Sequence, residues 1–72
     1  MLIASWNVNS VRARIENIKS YLIKYKPEIL MMQEIKTEDL NFPYEDFSSL
    51  DYESHVFGQK AITELQLFQK MN

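Results

Sequence analysis

The chain has 72 residues, eight Lys and Arg against ten Asp and Glu, and a formal net charge of −2. That length allows one small domain burying about 60% of its unfolded surface. The absence of cysteine excludes a disulfide framework or a thiolate metal site, and the charge excludes a strongly basic nucleic-acid module. No stretch nears about 18 consecutive apolar residues and no basic, then apolar leader opens the chain, so the expectation is a cytoplasmic protein without a membrane span.

Leu2 to Trp6, "LIASW", is a short apolar run followed by polar "NVNS", which predicts a buried strand and then a loop. From Ser10 the period changes. Val11, Ile15, Ile18, Leu22 and Tyr25 recur at intervals of three and four with Arg12, Arg14, Glu16, Lys19 and Lys24 between them, predicting an amphipathic helix from Val11 to Lys26. Ser10 is the expected N-cap and Pro27 the stop. Glu28 to Gln33, "EILMMQ", reads as a second buried strand, completing a βαβ unit. Trp6, Met31 and Met32 are expected in the core.

Two parallel strands joined by a crossover helix end at the same sheet edge, where α/β proteins place their sites. Asn7 follows the first strand and Glu34 the second. Their oxygens suit a hard cation such as magnesium. Spacing alone favours a plainer reading, a turn-forming Asn7 and a solvated Glu34 at a strand end. "TEDLNFP" then reads as a polar connection, "PYEDFSSL" as a short helix with Pro43 in its first turn, and "DYESHVFG" as a third strand.

"IASWNVNSVRAR", "LMMQEIK", "NFPYEDF" and "GQK", in this order, resemble the start of the exonuclease III family of AP endonucleases, within the endonuclease/exonuclease/phosphatase superfamily. The likeness runs from Met1 to about Lys60. It implies an α/β fold, β-α-β-α-β, forming the N-terminal part of a truncated four-layer α/β sandwich whose second sheet would cover the inner face of the first. It also implies that Asn7 and Glu34 belong to a metal and phosphate site, with Glu34 the principal ligand for Mg2+, or alternatively Mn2+. Binding in this chain is expected to be weak or absent, because one carboxylate and one amide leave the ion without the rest of its cage. The substrate implied for the intact family is DNA with abasic sites or 3′ ends.

Arg12 and Lys36 are the candidates for substrate contact, with Arg14 beside Arg12 near the helix start; arginines on an exposed helix face are usually just solvated, and Lys36 can equally be a plain surface lysine. His55, the single histidine, falls in the third strand and is expected to be structural. The family's later Tyr, Asp/Asn pair, further Asp and C-terminal Asp-His pair have no counterparts, so the chain is expected to be inactive alone. Complementation by a separately encoded C-terminal part, or reuse as a small DNA- or protein-binding module, are the alternatives.

Residues 61–72, "AITELQLFQKMN", depart from the family, which continues roughly x-Tyr-Asn-Gly-Val-Ala-Ile. With A/T-rich codons, one T inserted after the codon for Ala61 turns this segment into "AYNGVAIISKNE". The division expected is therefore residues 1–60 as a partial domain and 61–72 as an out-of-frame tail that continues no strand of the sheet.

Overall fold

A computed structural model describes residues 2–65. Its elements in chain order are β1 (Ile3–Asn7), helix α1 (Ile15–Tyr25), β2 (Ile29–Gln33), a 3-10 turn (Asp39–Asn41), the short helix α2 (Tyr44–Ser48), β3 (Tyr52–Phe57) and β4 (Lys60–Leu65). The strands form one sheet in the order β1-β2-β4-β3. β1 and β2 are parallel, as the crossover through α1 requires, while β4 runs antiparallel to both its neighbours. The α/β class and the βαβ start agree with the sequence reading.

The core lies on one face of the sheet. Leu30 and Met32 of β2 and Ala61 and Thr63 of β4 meet Ile18 and Leu22 of α1 and Phe47 of α2, all essentially inaccessible to water. The side-chain period of two then sends the alternate residues to the opposite face. There the aligned rows are Ile3, Ile29, Glu64 and Glu53, then Ser5, Met31, Ile62 and His55, then Asn7, Gln33, Lys60 and Phe57. No described element covers these rows. Met31 is 37% exposed and Phe57 61%, beside Met32 at 0%.

Four expectations need correction. Met31 is not core, because a continuous apolar run was read as burial on both faces whereas only one face is covered here. Trp6 is half-buried, its ring packed edge-on against Tyr21 at 5.7 Å. The regular helix starts at Ile15, not Val11, and Ser10 is not its cap. The amides of Ser10 and Val11 instead donate to the carbonyls of Glu34 and Ile35 at 2.8 and 2.9 Å, so residues 11–14 form turns before the helix can begin. Its end is as expected: Lys26 closes it in the left-handed region, φ 47°, directly before Pro27.

The fourth correction concerns the tail. Residues 61–65 do continue a strand of the sheet, pairing on one side with β2 and on the other with β3. A two-residue loop, Gly58 and Gln59, links β3 to β4, and Gly58 has φ +60°, the glycine position of a type II′ hairpin turn. The alternation of Ala61 and Thr63 inward with Ile62 and Glu64 outward fits a pleated strand whatever the helix propensity of the segment. Residues 66–72 lie outside the described residues, and so does any account of that part of the tail.

Candidate functional site

The C-terminal ends of β1 and β2 carry Asn7 and Glu34, and the structure brings their side chains together. Asn7 Nδ2 donates to Glu34 Oε2 at 2.6 Å across 27 positions of sequence. The bond is charge-assisted and fixes the carboxylate through one of its two oxygens. Both residues are exposed, so the pair is reachable from solvent.

The backbone around the pair is unusual. Among the described residues, four of the six non-glycine residues with positive φ lie in the two loops at this edge: Asn9 (46°), Ser10 (88°), Glu34 (55°) and Lys36 (54°). Such conformations cost about 1–2 kcal/mol each for L-residues and persist where surrounding contacts hold them. Those contacts are present. The amides of Val8, Ser10 and Val11 donate to the carbonyls of Gln33, Glu34 and Ile35, tying the two loops together, while the Ile35 amide donates to the Gln59 carbonyl at 3.1 Å.

Lys36 stands at the same edge. Its Nζ donates to Asn9 Oδ1 at 2.6 Å and its amide to Gln59 Oε1 at 2.9 Å. Arg12 points elsewhere: its Nη1 donates to the Asn41 carbonyl at 2.8 Å, anchoring the 3-10 turn to the segment before α1. Arg14 is exposed, and its carbonyl receives the Ile18 amide at 2.9 Å in the first turn of α1. His55 sits on the uncovered sheet face in the edge strand β3, with Nε2 3.7 Å from Glu53 Oε2.

Among the described residues no group of three or more His, Cys, Asp or Glu side chains is close enough to hold a metal ion. Asn7 and Glu34 suit a hard cation in kind, as two oxygen-bearing groups, but with one carboxylate between them they would leave most of an octahedral shell to water and phosphate. Asn9, Asn41 and Gln59 were not singled out from sequence. Nothing short of knowing the pairing of the loops identifies them, although "GQK" at a hairpin tip marks where the third of them lies.

The described residue whose ionisation is clearly displaced lies away from this edge. Burial, reinforced by the Glu28 carboxylate and Tyr21, pushes the Tyr52 phenol above the usual tyrosine value, and its hydroxyl donates to the Pro27 carbonyl at 2.6 Å.

Comparison with known proteins gives a consistent family. The chain is 40% identical over 72 residues to exodeoxyribonuclease III of Haemophilus influenzae, covering 97% of this chain and 26% of that protein. An AP endonuclease from Archaeoglobus fulgidus superposes with a TM-score of 0.78 at 42% identity, over 90% of this chain and 28% of its own. A 3′-5′ exonuclease from Neisseria meningitidis superposes with a TM-score of 0.84 at 30% identity, over 89% and 27%. A 3′ phosphatase from Neisseria bound to a product DNA hairpin gives 0.82 at 30% identity, over 86% and 26%. The chain thus spans about a quarter of the length of these relatives, corresponding to the N-terminal part of the exonuclease III fold. Residues 4–67 match the Endonuclease/Exonuclease/phosphatase family, and with the shared fold and the level of identity the chain belongs to that family.

Proposed function

We propose that the chain carries the Asn7–Glu34 portion of the site of a magnesium-dependent DNA-repair phosphodiesterase resembling exodeoxyribonuclease III, working in the cytoplasm, and that these 72 residues alone do not hydrolyse DNA. The observation that carries the reading is the 2.6 Å contact between Asn7 and Glu34 where two parallel strands end. The relatives' activities, an AP endonuclease, a 3′-5′ exonuclease and a 3′ phosphatase caught with a DNA product, support DNA as the substrate class.

In this reading Glu34 and the Asn7 amide oxygen would hold magnesium, or manganese in its place, and the ion would supply Lewis-acid chemistry at a phosphate. The Asn7 amide nitrogen holds the Glu34 carboxylate in one orientation. Lys36, held by Asn9, presents a cation to a phosphate at the same edge. Arg12 serves the site indirectly, by fixing the Asn41 turn. Proton removal from an attacking water needs a second carboxylate or a histidine at this edge. Glu34 is assigned to the metal in this reading and His55 stands beside Glu53 on β3, which supports the proposal that the isolated chain is inactive.

Residues 61–72 are, in the same reading, translated from a shifted frame, and β4 is a strand that the shifted residues support through their alternation. The supporting argument is that a choice of A/T-rich codons exists for which one inserted T turns the segment into "AYNGVAIISKNE". Nucleotide sequencing across codon 61 tests it: the +1 frame must encode "YNGVA" and its continuation.

The activity is tested with purified chain, magnesium and a duplex bearing an abasic site. The expected result is no incision above a metal-free control. Magnesium-dependent cleavage that Glu34→Ala abolishes would show a complete site and overturn the inactivity.

A further inference from the structure

We infer that Gln59, at the tip of the β3–β4 hairpin, is a positioning residue that sets the direction in which the Glu34 carboxylate leaves the sheet. The inference deepens the reading of Asn7 and Glu34 as metal-facing and rests on it.

Up to Gln33 the ladder between β2 and β4 is regular, with Met31 opposite Ile62, Met32 opposite Ala61 and Gln33 opposite Lys60. One step further, that register would set Glu34 opposite Gln59. Instead the Ile35 amide, not a group of Glu34, reaches the Gln59 carbonyl at 3.1 Å. Glu34 is thereby an extra residue in the ladder, with φ 55°. A left-handed extra residue between antiparallel partners is a bulge, and bulges re-aim side chains at the ends of strands.

What holds the bulge on the β4 side is one residue. Beyond Gln59 the hairpin turns back into β3, so no main-chain carbonyl of β4 continues the ladder toward Lys36. The Gln59 side chain supplies the missing acceptor: Oε1 takes the Lys36 amide at 2.9 Å while the Gln59 main-chain oxygen takes the Ile35 amide. These are the amides of the two residues that follow Glu34. On the other side, the Glu34 carbonyl receives the Ser10 amide at 2.8 Å. Loss of the Gln59 acceptor frees the Lys36 amide, and with it the left-handed turn at residues 34–36 that points the carboxylate at Asn7. Gln59 needs its full length for this, since a shorter amide at the same position falls one methylene short.

The test uses the full chain, Mn2+ as the probe, and amide-resolved spectra. Paramagnetic broadening of the Glu34 amide gives a binding midpoint, exchange of the Lys36 amide with solvent reports the clamp, and the thermal midpoint monitors the fold. Gln59→Met keeps the length and removes the acceptor; Gln59→Asn keeps the amide and loses the reach. Both are expected to weaken Mn2+ binding by up to about tenfold, the lower end of the effect of losing a direct partner of a metal ligand, because Gln59 acts through the main chain of residues 35 and 36, and to speed Lys36 exchange. Gln59→Glu, which retains a carbonyl-type acceptor at the same reach, restores slow Lys36 exchange and Mn2+ binding at or above the wild-type level. Unchanged Mn2+ midpoints in both Gln59→Met and Gln59→Asn overturn the positioning role and leave the Glu34 reading standing. Broadening in the wild type that Glu34→Ala does not remove overturns the metal reading, and the role of Gln59 with it.

Discussion

Met31 and Met32 are neighbours of one residue type, and truncating each to alanine separates the two faces of the sheet energetically. Met32 is fully buried in the core cluster that holds Ile18 and Leu22, while Met31 is 37% exposed on the uncovered face. Removing a buried methionine side chain costs about 2–5 kcal/mol, the lost transfer energy plus that of the cavity left behind. A core in this size range supplies about 3–5 kcal/mol in all. Met32→Ala should therefore bring the chain to the edge of unfolding in water. Met31→Ala should change stability by about 0.5 kcal/mol or less, as expected at a site with little to lose. Urea unfolding followed by far-UV circular dichroism at low protein concentration, where association through the bare face is suppressed, measures both. Met31→Lys extends the test: it should leave the fold intact and reduce self-association of the chain, because it interrupts the apolar row of Met31 and Ile62. Equal destabilisation by Met31→Ala and Met32→Ala would refute the assignment of one covered and one open face.

Raising the pH above about 10 should destabilise the chain through Tyr52. The folded-state pKa is raised, so this contribution to stability is fully present below the unfolded value and is lost as pH climbs through the folded one; Tyr52→Phe should remove that part of the alkaline transition and cost about 1 kcal/mol at neutral pH, read by pH-dependent urea melts. Asn7→Asp places a second carboxylate against Glu34, which should lower metal-free stability by about 1 kcal/mol and tighten Mn2+ binding, measured by calorimetry and thermal melts. Gly58→Ala meets no atom within 4 Å, yet should cost about 1 kcal/mol because its φ of +60° disfavours any Cβ, and a urea melt checks this.

Much of this architecture was legible because the apolar periods of β1, α1 and β2 are unmixed and the parallel crossover rule then places Asn7 and Glu34 at one edge without further information. The loops were not legible in the same way. A left-handed backbone is ordinarily announced by glycine, and at Asn9, Ser10, Glu34 and Lys36 it is imposed by the interlocking of two loops with a hairpin tip. Ser10 looks like a helix cap in sequence, and it fails as one because residues 11–14 form turns and the helix starts only at Ile15, with Arg14 at the capping position. The strand character of residues 61–65 was hidden for a related reason: Glu64 and Leu65 have helical propensity, and the hairpin through Gly58 overrides it by supplying partners on both sides. Met31 was misplaced because an apolar run does not say how many layers of the fold are present to cover it.

Locating bound Mn2+ on the chain tests the metal reading most directly. Titration with Mn2+, followed through paramagnetic broadening of individual amides, should affect first the residues around Asn7 and Glu34, and Glu34→Ala should abolish the effect. Broadening centred instead on Glu53 and Glu64 of the open sheet face, or persisting unchanged in Glu34→Ala, would contradict it.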